Sequence, residues 1–339
     1  MVAIQFLKVG PLSAQETKES VTLPPINIVE LPGNLPSEER ARHLYPLNLI
    51  DHGGSNRDRT RLKFQSYVSE VILTWDMLNQ RDDLISYTEQ YSQPFITGSG
   101  EGLYIFLHGL GSHPGVWYEY LKELESSNIS MWAPHILNKG NASLKKTADE
   151  ILRTTTEYLA QFPQSPIIFV ATSNGARIAQ YCEIKLRQQQ HSSIILASIA
   201  GAIGGSKRIK YRYPITDEDL YKELHYLSPH SIKLIEQARE ELPSSARRTF
   251  YYYATAEDST VVPFNASLPL IKQNERFFLL RGVNHRTIVN VLSSEVLKET
   301  ELKRIEYLNI NTPFVYQDLF LDKVTFPQFL GFDAYEVLN

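Results

Sequence analysis

From about residue 100 to residue 310 the chain alternates short apolar runs with longer stretches whose apolar residues recur every three or four positions. The first pattern reads as a strand buried on both faces, the second as an amphipathic helix. It predicts strands over 103–107, 129–134, 167–171, 194–199, 250–254 and 276–280. It predicts helices over 116–125, 144–162 and 176–187, and a last long helix inside 285–307. In the 144–162 helix, Leu144, Ala148, Ile151, Leu152, Thr155 and Leu159 share one face. Parallel strands need crossover connections, so this alternation implies a mostly parallel sheet with helices on both faces. The expected class is α/β. An insertion over about 205–247 interrupts the alternation.

The flanks differ. Residues 1–95 open with Pro11, Pro24, Pro25, Pro32, Pro36 and Pro46, which remove backbone donors and predict an extended arm with few elements of its own. Val68, Val71, Ile72, Trp75 and Leu78 then follow helical spacing, predicting a helix or two within 68–92. From Asn311 onward come Phe314, Tyr316, Phe320, Phe326, Phe329, Phe332 and Tyr335. Large aromatics are usually buried, so a tail packed on the body is favoured over a docking surface. The expected organisation is an arm and helical extension over 1–95, a core over 96–310 and an aromatic tail over 311–339.

Composition excludes several classes. The net charge of −4 disfavours a general nucleic-acid binder. A single cysteine, Cys182, rules out an intramolecular disulfide and argues against a Cys-ligated zinc site; it reads as a small buried apolar residue. The longest uncharged apolar run, Ser192 to Ser206, falls short of the roughly 20 residues a spanning helix needs. The start, MVAIQFLKVGPL, has neither a basic opening nor a cleavage site, so no signal peptide is expected. The expected compartment is the cytosol, with export by a signal-independent route left open.

Four places carry chemistry. The apolar run Ile167–Ala171 leads through Thr172 into Ser173-Asn174-Gly175-Ala176, where helical spacing begins. This is the strand–turn–helix setting in which a sharp turn lifts a serine hydroxyl above the sheet and aims the next backbone N–H beside it. The crossing wants small residues two before and two after the serine. Gly175 meets that, and Ala171 stands where a glycine is usual. Upstream, Leu103–Leu107 runs into His108-Gly109-Leu110-Gly111. Acyl transfer needs two N–H groups at the developing oxyanion, and Leu110 and Asn174 are the expected donors. His108 is expected to orient this loop, and His113 to sit on its rim, where it could touch substrate.

The third place is Phe250–Ala254 followed by Thr255-Ala256-Glu257-Asp258. An acid here could hold a histidine in one tautomer and stabilise its imidazolium. Asp258 is the expected acid, with Glu257 as alternative. The fourth is Phe277–Leu280 followed by Arg281-Gly282-Val283-Asn284-His285, where His285 would be the general base. Each candidate follows a strand, and ligands in open α/β sheets bind at that carboxyl edge.

The order Ser173, Asp258, His285 is the nucleophile–acid–base order of α/β hydrolases, and over about 100–310 the chain resembles that superfamily. Asn138 to Leu144, Ala148-Asp149-Glu150-Ile151 and Ser173-Asn174-Gly175-Ala176-Arg177 look like its lipase-like serine esterases, a group that includes GPI-inositol-deacylase-like lipases. The resemblance implies an α/β-hydrolase fold with a small lid over about 205–247. It implies an ester or thioester hydrolase working through an acyl-enzyme on Ser173, with no metal or cofactor required. A serine nucleophile argues against dehalogenase-type members, which use Asp. A peptidase or acyltransferase with the same triad, and a catalytically silent scaffold that binds a partner, are the alternatives.

Lys207, Arg208, Lys210 and Arg212 interleave with Ile209, Tyr211 and Tyr213 early in the insertion. The cluster could meet an anionic headgroup or a membrane surface, although an ordinary solvated edge is the plainer reading. A helix over 226–239 could carry Leu227, Ile232, Leu234 and Ile235 toward an acyl pocket. The expected substrate is a lipid ester or other acyl ester.

Overall fold

The computed structural model describes residues 27–31, 82–191, 193–209, 215, 217–240, 247–255, 258–268, 275–281 and 283–308. Glu257, Lys210, Arg212, the aromatic tail, residues 68–81 of the expected helical extension and all of the proline arm except 27–31 lie outside them.

Seven strands form one sheet: β1 (Asn27–Leu31), β2 (Leu103–Leu107), β3 (Ser130–Trp132), β4 (Ile167–Thr172), β5 (Ser193–Ile199), β6 (Arg247–Thr255) and β7 (Glu275–Arg281). Their order is β1-β7-β6-β5-β4-β2-β3. Strands β2 to β7 are mutually parallel; β1 runs antiparallel along β7, with Val29 opposite Leu279. The expected parallel sheet is present, and a five-residue strand from the arm extends it.

Side-chain alternation sends successive strand residues to opposite faces. Leu103, Ile105 and Leu107 join Ile167, Phe169 and Ala171 in one core layer, and Tyr104 and Phe106 join Ile168 and Val170 in the other. Both layers are covered, which is why these two strands are apolar from Leu103 to Leu107 and from Ile167 to Ala171. The first layer is closed by α3 (Leu144–Gln161), α4 (Asn174–Gln188) and α6 (Pro229–Ala238), through residues such as Ile151, Ala179 and Leu234. The second is closed by α2 (Tyr118–Leu124), α7 (Thr287–Val291) and α8 (Ser293–Leu308), through Leu121, Ile288 and Val296. Helix α1 (Asp82–Glu89) precedes the core and packs near the short turn Pro114–Trp117.

The insertion holds α5 (Glu218–Leu224) and α6. Helix α6 begins at Pro229, three residues later than the periodicity predicts. Ser228 caps it, its hydroxyl accepting the Ser231 N–H at 3.1 Å, and Pro229 occupies the first turn, where its missing N–H costs nothing. Leu227 therefore falls in the preceding turn, with φ 50° and an exposed side chain. Among the described residues no helix is long and apolar enough to cross a membrane.

The chain runs outward from β2 to β3, then crosses back to begin β4 on the other side of β2. That reversal leaves the loops after β2 and β4 diverging at the carboxyl edge, the place where open α/β sheets form a ligand crevice.

Candidate active site

Ser173 follows β4 directly and has φ 54° and ψ −123°, a strained conformation for a residue with a side chain. Three backbone bonds hold it there: its N–H donates to Ile199 O at 3.2 Å, and its carbonyl accepts Ala176 N–H at 3.2 Å and Ala202 N–H at 2.9 Å. The turn is thus tied to the end of β5 and to the start of α4. Glycine is compulsory at 175, because a Cβ there would lie 2.1 Å from Leu107 O and 2.6 Å from His108 O. Helix α4 presses on the end of β2 at that point. Ala171 is fully buried in the first core layer. The Ser173 hydroxyl is half-buried and makes no hydrogen bond among the described residues.

The loop after β2 meets the same serine. A Cβ on Gly109 would lie 2.7 Å from Ser173 Cβ and 3.2 Å from its Oγ, so only glycine fits beside the hydroxyl. Buried His108 fixes the loop from behind. Its Nδ1 is 2.9 Å from Gly109 O, and its Nε2 is 3.2 Å from Ile136 N. A backbone N–H can only donate, so Nε2 accepts and Nδ1–H donates: the ring is one neutral tautomer. Burial drives its pKa down to about 4, which keeps it in that form. This histidine joins the loop after β2 to the segment after β3. Gly111 N–H donates to Lys139 O at 2.7 Å, and the Asn174 side-chain amide donates to Gly140 O at 3.2 Å, adding two more ties. Leu110 is half-buried between them, and its N–H has no partner among the described residues. The resemblance over Asn138 to Leu144 is the one sequence signal for this segment; in the structure a Cβ on Gly140, which has φ 79°, would lie 3.3 Å from Leu110 Cα and 3.5 Å from Leu110 N.

Asp258 and His285 meet across the ends of β6 and β7. Asp258 Oδ2 accepts His285 Nδ1–H at 2.8 Å, and both side chains are buried. The other carboxylate oxygen accepts Thr260 N–H and Val261 N–H, each at 2.8 Å. Three donors thus fix the carboxylate and, through it, the orientation of the His285 ring. The two loops are joined by Thr255 Oγ1 donating to Val283 O at 2.6 Å. Asn284, which sequence reasoning passed over, folds around the histidine. Its Oδ1 accepts Arg286 N–H and Thr287 N–H, both at 3.0 Å, and orders the start of α7. The Asn-x-x-Thr spacing is the signal that could have found it.

The remaining candidates are spread out. His113 caps the Pro114–Trp117 turn, its Nδ1 accepting Gly115 N–H at 3.0 Å, and its ring meets that of His135. Ile232 is exposed on α6, and Ile235 packs against the first core layer. Lys207 and Arg208 are exposed; the Lys207 ammonium lies 5.1 Å from the Tyr226 ring centre, and Arg208 reaches Ser259 O at 3.4 Å.

Arg177, one turn past the serine, is fully buried and donates to Glu223 O at 2.6 Å, while Glu223 Oε2 accepts Leu144 N–H at 2.8 Å. The insertion is thereby fastened to α4 and α3. Its helices also supply Leu220 and Leu224 to a small apolar cluster with Ala202, Ile209, Val261 and Ala266, against which Leu110 packs. That cluster joins the loop after β2, the Asp258 loop and the insertion.

Six parallel strands in this order, helices on both faces and a serine on a strained turn after β4 make this an α/β-hydrolase fold. No protein-family model matches the chain, and no curated protein matches it in sequence. Solved structures similar to it include ferulic acid-bound Est1E from Butyrivibrio proteoclasticus (14% identity, 63% of this chain, 94% of that one, TM-score 0.47). A monoacylglycerol lipase from Paleococcus ferrophilus is similar at 14% identity over 63% of this chain and 98% of that one, TM-score 0.45. An α/β-hydrolase superfamily protein from Enterococcus faecalis is similar at 14% identity over 64% and 94%, TM-score 0.43. None of the three bears on the narrower resemblance to GPI-inositol-deacylase-like lipases.

Proposed function

We propose that this chain is a serine hydrolase that cleaves carboxylic esters with an apolar acyl group. The observation that carries the reading is the buried Asp258–His285 hydrogen bond of 2.8 Å at the same sheet edge as Ser173 on its strained turn. With Nδ1–H held by Asp258, His285 Nε2 takes the proton from Ser173 Oγ as it attacks the ester carbonyl. The oxyanion is met by the N–H groups of Leu110 and Asn174, the latter at the start of α4. Collapse expels the alcohol, which receives the proton from His285. Water, deprotonated by the same imidazole, then attacks the acyl-enzyme, and His285 returns that proton to Ser173 Oγ as the acid is released. No step calls for a metal or cofactor.

The apolar cluster of Val261, Leu220, Leu224 and Ile209 beside Leu110 supports an apolar acyl chain. Exposed Lys207 and Arg208 on the adjoining loop would favour an anionic headgroup or a membrane surface beyond the ester. The test is fluorophosphonate labelling of the wild type and Ser173→Ala, with p-nitrophenyl esters of increasing chain length. Labelling that disappears in the variant, and a rate that rises from acetyl to longer esters, is the expected result. A folded wild type that stays unlabelled, with and without lipid vesicles, overturns the reading.

A further inference from the structure

We propose that Glu89, His113 and His135 form a binding site for one divalent transition-metal ion, zinc foremost, on the rim beside the loop after β2. Each residue offers one ligand atom, and these atoms all lie within 4.8 Å of one another. They come from three segments: Glu89 ends α1, His113 precedes the Pro114–Trp117 turn and His135 lies between β3 and residues 137–140. His135 Nε2 is 2.8 Å from Glu89 Oε2. The two imidazoles meet edge to face, with ring centres 5.0 Å apart and planes at 69°.

The donor chemistry selects the ion. Two imidazoles and one carboxylate are a set that zinc takes with three protein ligands, leaving a fourth position for water. Calcium and magnesium require more oxygen donors than the cluster holds. Zinc–ligand bonds of about 2.0–2.2 Å in a tetrahedron place ligand atoms roughly 3.3–3.5 Å apart. The His135–Glu89 pair, hydrogen-bonded at 2.8 Å, is closer than that and opens slightly to admit the ion. Side-chain rotation supplies this opening and the contraction of the longer separations, since the Glu89 and His135 side chains are 51% and 48% exposed.

Occupation has a structural consequence. His113 Nδ1 now accepts Gly115 N–H. Ligation through Nδ1 takes that lone pair, and ligation through Nε2 moves the ring proton onto Nδ1; either way the bond to Gly115 is given up. The ion would clamp the segments around His113 and His135, which His108 already joins at Gly109 O and Ile136 N. The site requires nothing of Ser173 and stands apart from the proposed hydrolysis.

The experiment uses the full chain, freed of metal by a chelator. Zinc is titrated by calorimetry, and cobalt(II) is followed by its visible ligand-field absorption, which intensifies in four-coordinate sites. The expected result is one zinc per chain. His135→Ala and Glu89→Gln, both at exposed positions, should each weaken zinc binding at least tenfold and abolish the four-coordinate cobalt spectrum, with circular dichroism unchanged. His285→Ala should leave both readouts as in the wild type, which separates this site from the Asp258–His285 pair. No stoichiometric binding overturns the proposal, as does binding that survives both rim substitutions or is lost with His285.

Discussion

Asp258 concentrates in one side chain the constraints that a proposed charge-stabilising acid needs. It is buried, one oxygen accepts two backbone N–H groups and the other accepts His285. Asp258→Asn keeps the shape but offers an amide that can donate to Nδ1, which turns the imidazole to the wrong tautomer. Ester hydrolysis should fall by a factor on the order of 10⁴, with the thermal midpoint lowered far less than by a core truncation; near-normal kcat would remove Asp258 from the mechanism and point to Glu257. His108 carries a second residue-scale prediction. Its folded pKa of about 4 lies below the ordinary histidine value of 6.5. The unfolded chain thus binds more protons between those values, and the stabilisation is complete above about pH 6.5 and lost as pH falls toward 4. From pH 7 to pH 5 this one ring should cost about 2 kcal/mol of unfolding free energy. Urea titrations at both pH values, on wild type and His108→Asn, should show a shallower loss in the variant. An equal loss in both would mean that the acid sensitivity lies elsewhere, as at His191, whose pKa burial also lowers to about 4.

Elements show which parts of this candidate site were legible in the sequence and which were hidden. Ser173, Asp258 and His285 each follow a run of apolar residues, and such runs are legible because a strand buried on both faces is apolar at nearly every position. Residues 138–140 and Arg177 were marked only by the family resemblance, with no role read for them, and Asn284 was not singled out. Arg177 would be read as solvated on any amphipathic helix, yet it is buried because the insertion covers that side of α4 and accepts its guanidinium. The start of α6 was misread for a local reason: apolar spacing continues through Tyr226 and Leu227, while Ser228-Pro229 sets the boundary. The Glu89–His113–His135 cluster has no sequence motif, since its members come together only through tertiary packing. Gly175 shows the opposite, a requirement visible in sequence and explained by the contact of α4 with the end of β2. Gly175→Ala would push a methyl group into two backbone carbonyls that cannot rotate away. Overpacking of that kind costs about 1–3 kcal/mol, and the displaced turn should also lose fluorophosphonate labelling at Ser173. Full labelling with an unchanged melting temperature would show that the contact relaxes freely.

At the scale of the molecule, the sheet has two edges that differ in how they end. One is β3, three residues long and joined by an isolated bridge between Phe95 and Met131. The other would be β7, whose seven residues would offer a row of unpaired N–H and C=O groups, the setting for association with another chain. Residues Asn27–Leu31 cover that row with an antiparallel strand. Periodicity could not predict the pairing, because a five-residue segment among prolines carries no record of which distant edge it meets. In an antiparallel pair successive residues turn their backbone groups alternately toward and away from the partner. Of Ile28 and Val29, one therefore bonds to β7 and the other faces outward. Proline removes the N–H, so Ile28→Pro and Val29→Pro should differ sharply: one should release the strand, the other should be milder. The releasing variant should aggregate faster on mild heating and lose amide-exchange protection over 275–281, with Ser173 labelling retained because the site lies at the carboxyl edge rather than the lateral one. Equal and small effects from both substitutions would mean that β1 is dispensable and that β7 is protected by something other than this strand.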